Sequence, residues 1–193
     1  MEPSLNLQST SSPSRITSNA ARYLIYALGF AILAYGLVRG CNHILVGNPV
    51  AKRLQSDPRN NTLSLAAHYD YYLNPSTLVL DLSHTENSSP ADLFRGIFQS
   101  AEALSDSGQS FEWVVLARTG ETVFLLTGAD FFELGREFAL GQNPVYLIRT
   151  FPEKLYNVNG ERAFSRWEGG ILGVLGKQMS DANDAARIWA IGE

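Results

Sequence analysis

The sequence predicts an α+β domain that is tethered to a membrane by one N-terminal transmembrane helix. Two observations support this fold class. Residues Tyr23 to Val38 contain no charged and no strongly polar side chain. The chain beyond them alternates between period-two apolar spacing, typical of strands, and spacing of three and four residues, typical of helices. We expect a ferredoxin-like two-layer sandwich, βαββαβ plus a C-terminal helix, with another antiparallel α+β sheet containing two hairpins as the alternative.

The apolar stretch has the composition of a membrane span but is short for one. Its sixteen residues rise about 24 Å as a helix, whereas the hydrocarbon core is about 30 Å thick. Arg22 and Arg39 can lengthen the span by extending their charged groups to the interface. A buried core helix and a cleaved signal peptide are the alternatives.

This interpretation divides the chain into four parts. We expect a flexible tail at residues 1–21, a transmembrane helix at 22–40, a linker with a short helix at 41–61, and a globular α+β domain at 62–193. Lys and Arg are nearly balanced on the two sides of the span, so the positive-inside rule does not decide the orientation. A short tail before one span is typical of an uncleaved signal anchor, which would place the domain outside the cytoplasm.

The single cysteine follows the span directly. Val38-Arg39-Gly40-Cys41 resembles a bacterial lipobox, although Arg39 departs from its pattern. Cys41 is therefore a candidate lipidation site, with a free thiol as the alternative. One cysteine excludes an internal disulfide and a zinc site built from cysteines.

The first half of the domain begins with a helix and two strands. Asn48-Pro49 predicts a helix start, and that helix must end before Pro58. Alternating apolar residues predict a strand over 63–73, for which a helix is the alternative. Asn74-Pro75-Ser76 predicts a turn, and Thr77 to Ser83 predicts a second strand.

The second half carries the clearer signals. Ser89-Pro90 predicts a helix start, and apolar residues at helical spacing continue to Leu104. The remaining predicted elements are strands at 111–118 and 121–127 around a tight turn, a helix from Gly128 to Gly141, a strand at 145–151, and a C-terminal helix over 162–190 broken at Gly169-Gly170. The strand at 63–73 would lie at an edge of the sheet.

Composition limits the partners of the domain. Eighteen acidic and twelve basic side chains follow Gly40, a net charge of −6. Because phosphate backbones require a basic face, nucleic acid is not an expected partner.

No cofactor or metal site is predicted. The glycines before Lys177 do not form a phosphate-binding loop, because Ile171 occupies a required glycine position and Gln178 a required Ser or Thr position. Their spacing favours close helix packing instead. His68, Asp70, Asp81, His84 and Glu86 could gather around a metal. Such short spacings are frequent by chance, and a solvated strand face and turn is the interpretation that we favour.

Two arginines are the candidate ligand-binding residues. Arg149 lies in a mostly apolar stretch and must find a carboxylate or water, and Arg136 lies in the preceding predicted helix. Together they could bind a small acidic ligand. The alternative is structural ion pairing with Glu133, Glu137 or Glu153.

No catalytic motif accompanies these residues, since the chain has no Gly-x-Ser-x-Gly elbow. We therefore expect a non-enzymatic, single-pass membrane protein whose partners are the lipid bilayer and another membrane or envelope protein, within an envelope assembly. The alternative is a membrane-tethered domain that binds or hydrolyses a small ligand.

Overall fold

The structure is a computed structural model that describes residues 16–86, 88–105, 107–169 and 171–192. It is an α+β chain with a long N-terminal helix and a four-stranded mixed sheet. Its elements are α1 (Ile16–Asn42), a π-helical turn (His43–Gly47), α2 (Asn48–Gln55), a 3₁₀ turn (Pro58–Asn60), β1 (Leu63–Asp70), β2 (Asn74–Thr85), α3 (Pro90–Ser105), β3 (Trp113–Arg118), β4 (Glu121–Thr127), α4 (Gly128–Ala139), α5 (Pro144–Thr150), a 3₁₀ turn (Phe151–Lys154) and α6 (Ile171–Ile191).

The chain forms two compact units, Met1–Leu37 and Val38–Glu193. The described part of the first unit is helical and exposes large apolar side chains, among them Leu24 (72%), Phe30 (73%) and Leu33 (62%). In the described ranges, the helical stretch Asn19–Gln55 is the one that is long and apolar enough to cross a membrane.

The sheet has the strand order β1-β2-β3-β4, with β1 at one edge. β1 and β2 form an antiparallel hairpin, and β3 and β4 form another around Thr119-Gly120. β2 and β3 are parallel, so the chain must cross from the end of one to the start of the other. Helix α3 makes this crossover.

One face of the sheet carries the hydrophobic core. Cross-strand partners point to the same face, and the aligned trio Leu80, Leu116 and Phe124 is buried there. The same cluster contains Ile97 of α3, Phe131 of α4 and Trp189 of α6. The helices therefore form a second layer against this face.

Two close approaches fix that helix layer. A Cβ atom on Gly135 of α4 would lie 2.6 Å from the carbonyl carbon of Ala101 in α3, so these helices touch backbone to backbone. In α6, the Trp189 indole Nε1 donates to the carbonyl of Ala117 at 2.9 Å. This bond gives the buried indole its polar partner.

The predicted strand at 145–151 is wrong, because α5 occupies this segment. The Asn143 side chain accepts a hydrogen bond from the Val145 backbone N–H at 2.9 Å, and Pro144 occupies the first turn. These are start signals of a helix. Counted from β2, the sixth element should be a strand in a ferredoxin-like βαββαβ order, and it is a helix. In the described residues the sheet is mixed, because β2 and β3 are parallel, and this also excludes the fully antiparallel alternative.

Two turn predictions also differ from the structure. The β1–β2 turn lies at residues 71–73, and Asn74 already begins β2. The helix does not start at Asn48-Pro49 either, because α1 continues through the π-helical turn into α2. In a regular α-helix the Pro49 ring would clash with the carbonyl of Leu45, and the wider π-helical turn relieves this clash.

Other elements match their predictions closely. α3 begins at Pro90, β4 spans Glu121–Thr127 and α4 begins at Gly128. The predicted C-terminal helix over 162–190 is wrong for its first part, because residues 162–169 are not helical and α6 begins at Ile171. Close packing at its glycines is absent in the described residues, because Cβ atoms at Gly173 and Gly176 would meet nothing within 4 Å; Gly170 lies outside them.

Candidate functional site

The segment that connects the exposed apolar helix to the sheet is built into the domain. We call residues 38–55 the connecting segment. Asn42 is buried, its Oδ1 accepts the backbone N–H of Tyr69 at 2.7 Å, and its Nδ2 donates to the carbonyl of Tyr72 at 2.6 Å. Tyr69 is near the end of the edge strand β1, so one side chain supplies partners that a neighbouring strand would otherwise provide.

A four-residue spacing gives the connecting segment its buried face. Asn42, Val46, Val50 and Leu54 are all buried. In an α-helix of 3.6 residues per turn, such a spacing drifts by about 40° at each step. The π-helical turn at His43–Gly47 winds less tightly and offsets this drift. Asn42 and Val46 therefore face the same strand.

The turn that Asn42 holds has an unfavourable backbone. Tyr71 and Tyr72 both have positive φ angles, 47° and 61°, which suit Asn and Gly in a two-residue hairpin turn. Each such residue costs about 1–3 kcal/mol unless its surroundings compensate. The Tyr72 ring stacks on His68 at 4.6 Å between centroids, and the Arg39 guanidinium lies 4.4 Å from the same ring. These contacts compensate the strain at Tyr72.

A buried polar network ties the end of the connecting segment to α3. Asn60 Nδ2 donates to the carbonyl of Leu54 at 2.9 Å and to Gln99 Oε1 at 2.6 Å, and Gln99 Nε2 donates to Asp57 Oδ2 at 2.8 Å. Hydrogen bonds from Arg59, followed by the bond from Gln99, outweigh partial desolvation and hold the pKa of the Asp57 carboxyl well below its usual range.

A second feature is a polar cleft of about 310 Å³ between α4, α5 and residues 166–168. Its walls carry four carboxylates and two cations: Glu133, Glu137, Glu153, Glu168, Lys154 and Arg166. Lys154 Nζ donates to Glu133 Oε2 at 2.6 Å and to Asp130 Oδ1 at 2.8 Å. Burial opposes ionisation of Asp130, but the bonds from Lys154 and Thr127 lower its pKa overall.

Arg149 does not line this cleft. Its Nη1 donates to Gln178 Oε1, and Gln178 Nε2 donates to Glu153 Oε1 at 2.7 Å. The Arg149 guanidinium also lies 5.1 Å from the ring centroid of Tyr146. Arg136 is exposed on α4 and does not line the cleft either. Their role as ligand-binding residues stays a prediction.

The remaining candidates are dispersed. Cys41 is an exposed free thiol in the last turn of α1, and its lipidation stays a prediction. In the part of the chain that the structure describes, no three His, Cys, Asp or Glu side chains gather as a metal site. Asp81 accepts the Gly120 N–H at 3.0 Å beside the β3–β4 turn, whereas Asp130 follows the other end of β4. These two carboxylates therefore lie at opposite ends of β4.

Sequence reasoning missed Asn42 and the Tyr71–Tyr72 turn. The turn carries no Gly, Asn or Pro at its centre, so its composition gives no signal. Asn42 could have been found, because it begins the four-residue spacing that continues through Val46 and Val50. That spacing indicates a helix with a buried face and not a solvated linker.

No family model, curated protein or solved structure matches this chain.

Proposed function

We propose that this chain is a single-pass membrane protein whose α+β domain acts by binding another protein. The observation that carries the proposal is the exposed apolar surface of α1, where Leu24, Phe30 and Leu33 each leave more than half of their surface uncovered. A helix that is apolar on every side needs an apolar surrounding. A lipid bilayer supplies it.

The uncovered face of the sheet supports the binding of a protein. The helices pack against one face, whereas the opposite face carries Val79, which is buried, and Val115 and Leu125, which are partly buried. A groove of about 250 Å³ lies on this face, between His68 and Thr122. Apolar and aromatic side chains rimmed by polar ones are typical of protein interfaces.

Site-specific photocrosslinking in native membranes tests this interaction. A photoreactive amino acid at Thr122, exposed on the uncovered face, should give one discrete adduct with a second protein. The same group at Asn183, exposed on α6 in the helix layer, is the matched control and should give none. Equal crosslinking from both positions, or none from either, contradicts the proposal.

We also propose that the α+β domain lies outside the cytoplasm. The chain has one cysteine, so a Cys41→Ser background with Gln142→Cys, at an exposed loop position, reports the side of the membrane. A membrane-impermeant maleimide should label this cysteine in intact cells. Labelling only after cell lysis would place the domain in the cytoplasm.

A second candidate function is the binding of a small ligand in the polar cleft, within a membrane-tethered domain that binds or hydrolyses it. The specific observation is the four glutamates around about 310 Å³. They favour a cationic ligand over the acidic one expected from Arg136 and Arg149, because an anion would meet like charges. Calorimetric titration with a diamine should show binding that Glu137→Gln weakens, and absence of heat would contradict it.

A further inference from the structure

The turn between β1 and β2 carries two large apolar side chains that the domain leaves uncovered. Tyr71 and Leu73 are 84% and 70% exposed, and residues 71–76 contain no charge. Tyr71 also has a positive φ of 47°, which is a strained conformation for an aromatic residue. Because its side chain is so exposed, packing inside the domain does little to offset that strain. Such exposed apolar side chains indicate a contact outside the domain.

The turn lies beside the start of the connecting segment. Asn42 bonds to the backbone of Tyr69, whereas Gly47, farther along the segment, approaches Ala67, where an added Cβ atom would lie 3.3 Å from the carbonyl oxygen. The connecting segment and β1 therefore run in opposite directions. Beyond Tyr69, the chain continues towards the residues that join the connecting segment to the apolar helix.

Those residues mark the point where a membrane anchor leaves the bilayer. Arg39 follows the apolar stretch directly, and its guanidinium lies 4.4 Å from the ring centroid of Tyr72, in the turn. If the stretch crosses the hydrocarbon core, Arg39 lies at the boundary between acyl chains and headgroups, and the turn lies near the same depth. Tyrosine is enriched at this boundary, and exposed apolar side chains are stabilised by entering it.

We propose that the β1–β2 turn lies in the membrane interface and forms a second contact between the chain and the bilayer. The inference rests on the proposed membrane anchor. Tyr71 and Leu73 enter the region between headgroups and acyl chains, about 5–10 Å deep. This second contact limits the tilting of the domain on the membrane surface. Tyr71 also lines the groove on the uncovered face of the sheet, so Leu73 is the better position at which to separate a lipid contact from a protein contact.

Fluorescence quenching in the full chain tests this contact. In a Cys41→Ser background, Leu73→Cys carries a nitrobenzoxadiazole probe, and the chain is reconstituted into phosphatidylcholine vesicles that contain nitroxide-labelled lipids. A nitroxide near the headgroup should quench this probe more strongly than a nitroxide near the end of the acyl chain.

The other hairpin turn supplies the matched control. Thr119 is exposed, has a positive φ like Tyr71, and donates its backbone N–H to Leu82. Leu82 lies about 30 Å from Leu73 along β2, at about 3.3 Å per residue. The same probe at Thr119→Cys should stay unquenched. Tyr71→Asp, which places a charge on the β1–β2 turn, should abolish most of the quenching at residue 73. Asp tolerates a positive φ better than Tyr, so this loss does not arise from unfolding.

Equal quenching at residues 73 and 119 would overturn the proposal, because a probe that enters lipid by its own affinity gives that result. Absence of quenching at residue 73 would also overturn it, and a discrete protein adduct from a photoreactive amino acid at that position in native membranes would then assign the turn to a protein partner. The same probe at Ile32→Cys, in the apolar helix, separates this inference from the anchor. Quenching at residue 32 by the deep nitroxide, with none at residue 73, overturns only the contact of the turn. Absence of quenching at both positions overturns the anchor itself.

Discussion

The side chain of Asn42 accepts the backbone N–H of Tyr69 across 27 positions of sequence, at 2.7 Å and in a buried site. With its second bond to the carbonyl of Tyr72, it joins the end of α1 to the edge strand of the sheet and to a strained turn. The connecting segment is therefore part of the folded domain and not a spacer.

Replacing Asn42 tests this join. Asn42→Ala leaves a buried N–H and a partly buried carbonyl without the partner that Asn42 supplies, so it should lower the free energy of unfolding by about 2–4 kcal/mol. Urea unfolding of the fragment 38–193 measures the effect. Cys41→Ala, at the adjacent exposed position, is the control and should change stability by less than about 0.5 kcal/mol. Equal effects of the two substitutions would show that the bonds of Asn42 contribute nothing.

The boundary of the folded unit gives a second prediction. A fragment 62–193, which begins where the sequence predicts the globular domain, lacks Val46, Val50 and Leu54, all buried in the core. Each such side chain contributes about 1.5–3 kcal/mol when buried, a sum that approaches the whole stability of a domain, about 5–15 kcal/mol. The fragment 38–193 should unfold cooperatively, whereas 62–193 should show no cooperative transition in near-UV circular dichroism. Matching transitions would contradict this.

Alanine substitutions at two helical glycines should change stability in opposite directions, because one glycine lies at the contact between α3 and α4 and the other faces open space. Gly135→Ala would place a methyl group 2.6 Å from the backbone of Ala101 and should destabilise the fragment 38–193 by about 3 kcal/mol. Gly173→Ala, in α6 with nothing within 4 Å, should stabilise it by about 0.5–1 kcal/mol. Thermal melting of both variants measures these changes. A shift of the same sign in both would contradict the packing described for α3 and α4.

Asp57 predicts a dependence of stability on pH. Because its pKa in the folded chain lies below the ordinary value of 3.8, the folded state favours the carboxylate more than the unfolded chain does. This stabilisation is complete above about pH 5 and declines as the pH falls below about 4 towards the folded-state pKa. Asp57→Asn should therefore cost about 1–2 kcal/mol at pH 7 and less at pH 3.

Urea unfolding of the wild type and of Asp57→Asn at several pH values measures the difference between their free energies of unfolding. Glu121→Gln, at an exposed carboxylate, is the control and should give a difference that does not vary with pH. A difference between wild type and Asp57→Asn that stays constant from pH 7 to pH 3 would show that Asp57 is not held as a carboxylate by Arg59 and Gln99.

Local signals predicted most elements of this fold and the β3–β4 hairpin, but not the parallel pairing in the middle of the sheet. Ser89 before Pro90 marks the start of α3, because caps and proline act within one helical turn. Asn143 before Pro144 carries the same signal for α5, yet the short apolar run after it also fits a strand, since periodicity cannot separate the two over seven residues. The parallel pairing of β2 with β3 depends on contacts between distant residues and leaves no local pattern.

The contacts of the candidate site residues were also hard to predict from the sequence, because they join residues that are distant along the chain. The sequence predicts that Arg149 meets a carboxylate or water, but its guanidinium donates to Gln178 of α6, which in turn donates to Glu153. Asn42 finds Tyr69 only after β1 and the connecting segment have packed together. Such partners are fixed by tertiary contacts, which override local propensity.

The membrane anchor is tested most directly by alkaline carbonate extraction of membranes that contain the full chain. The chain should stay in the pellet and dissolve only in detergent. A variant with Leu28→Lys and Ile32→Lys, which places two charges in the apolar helix at about 2.5–3.5 kcal/mol each, should be released. Release of the unmodified chain into the supernatant would contradict the account.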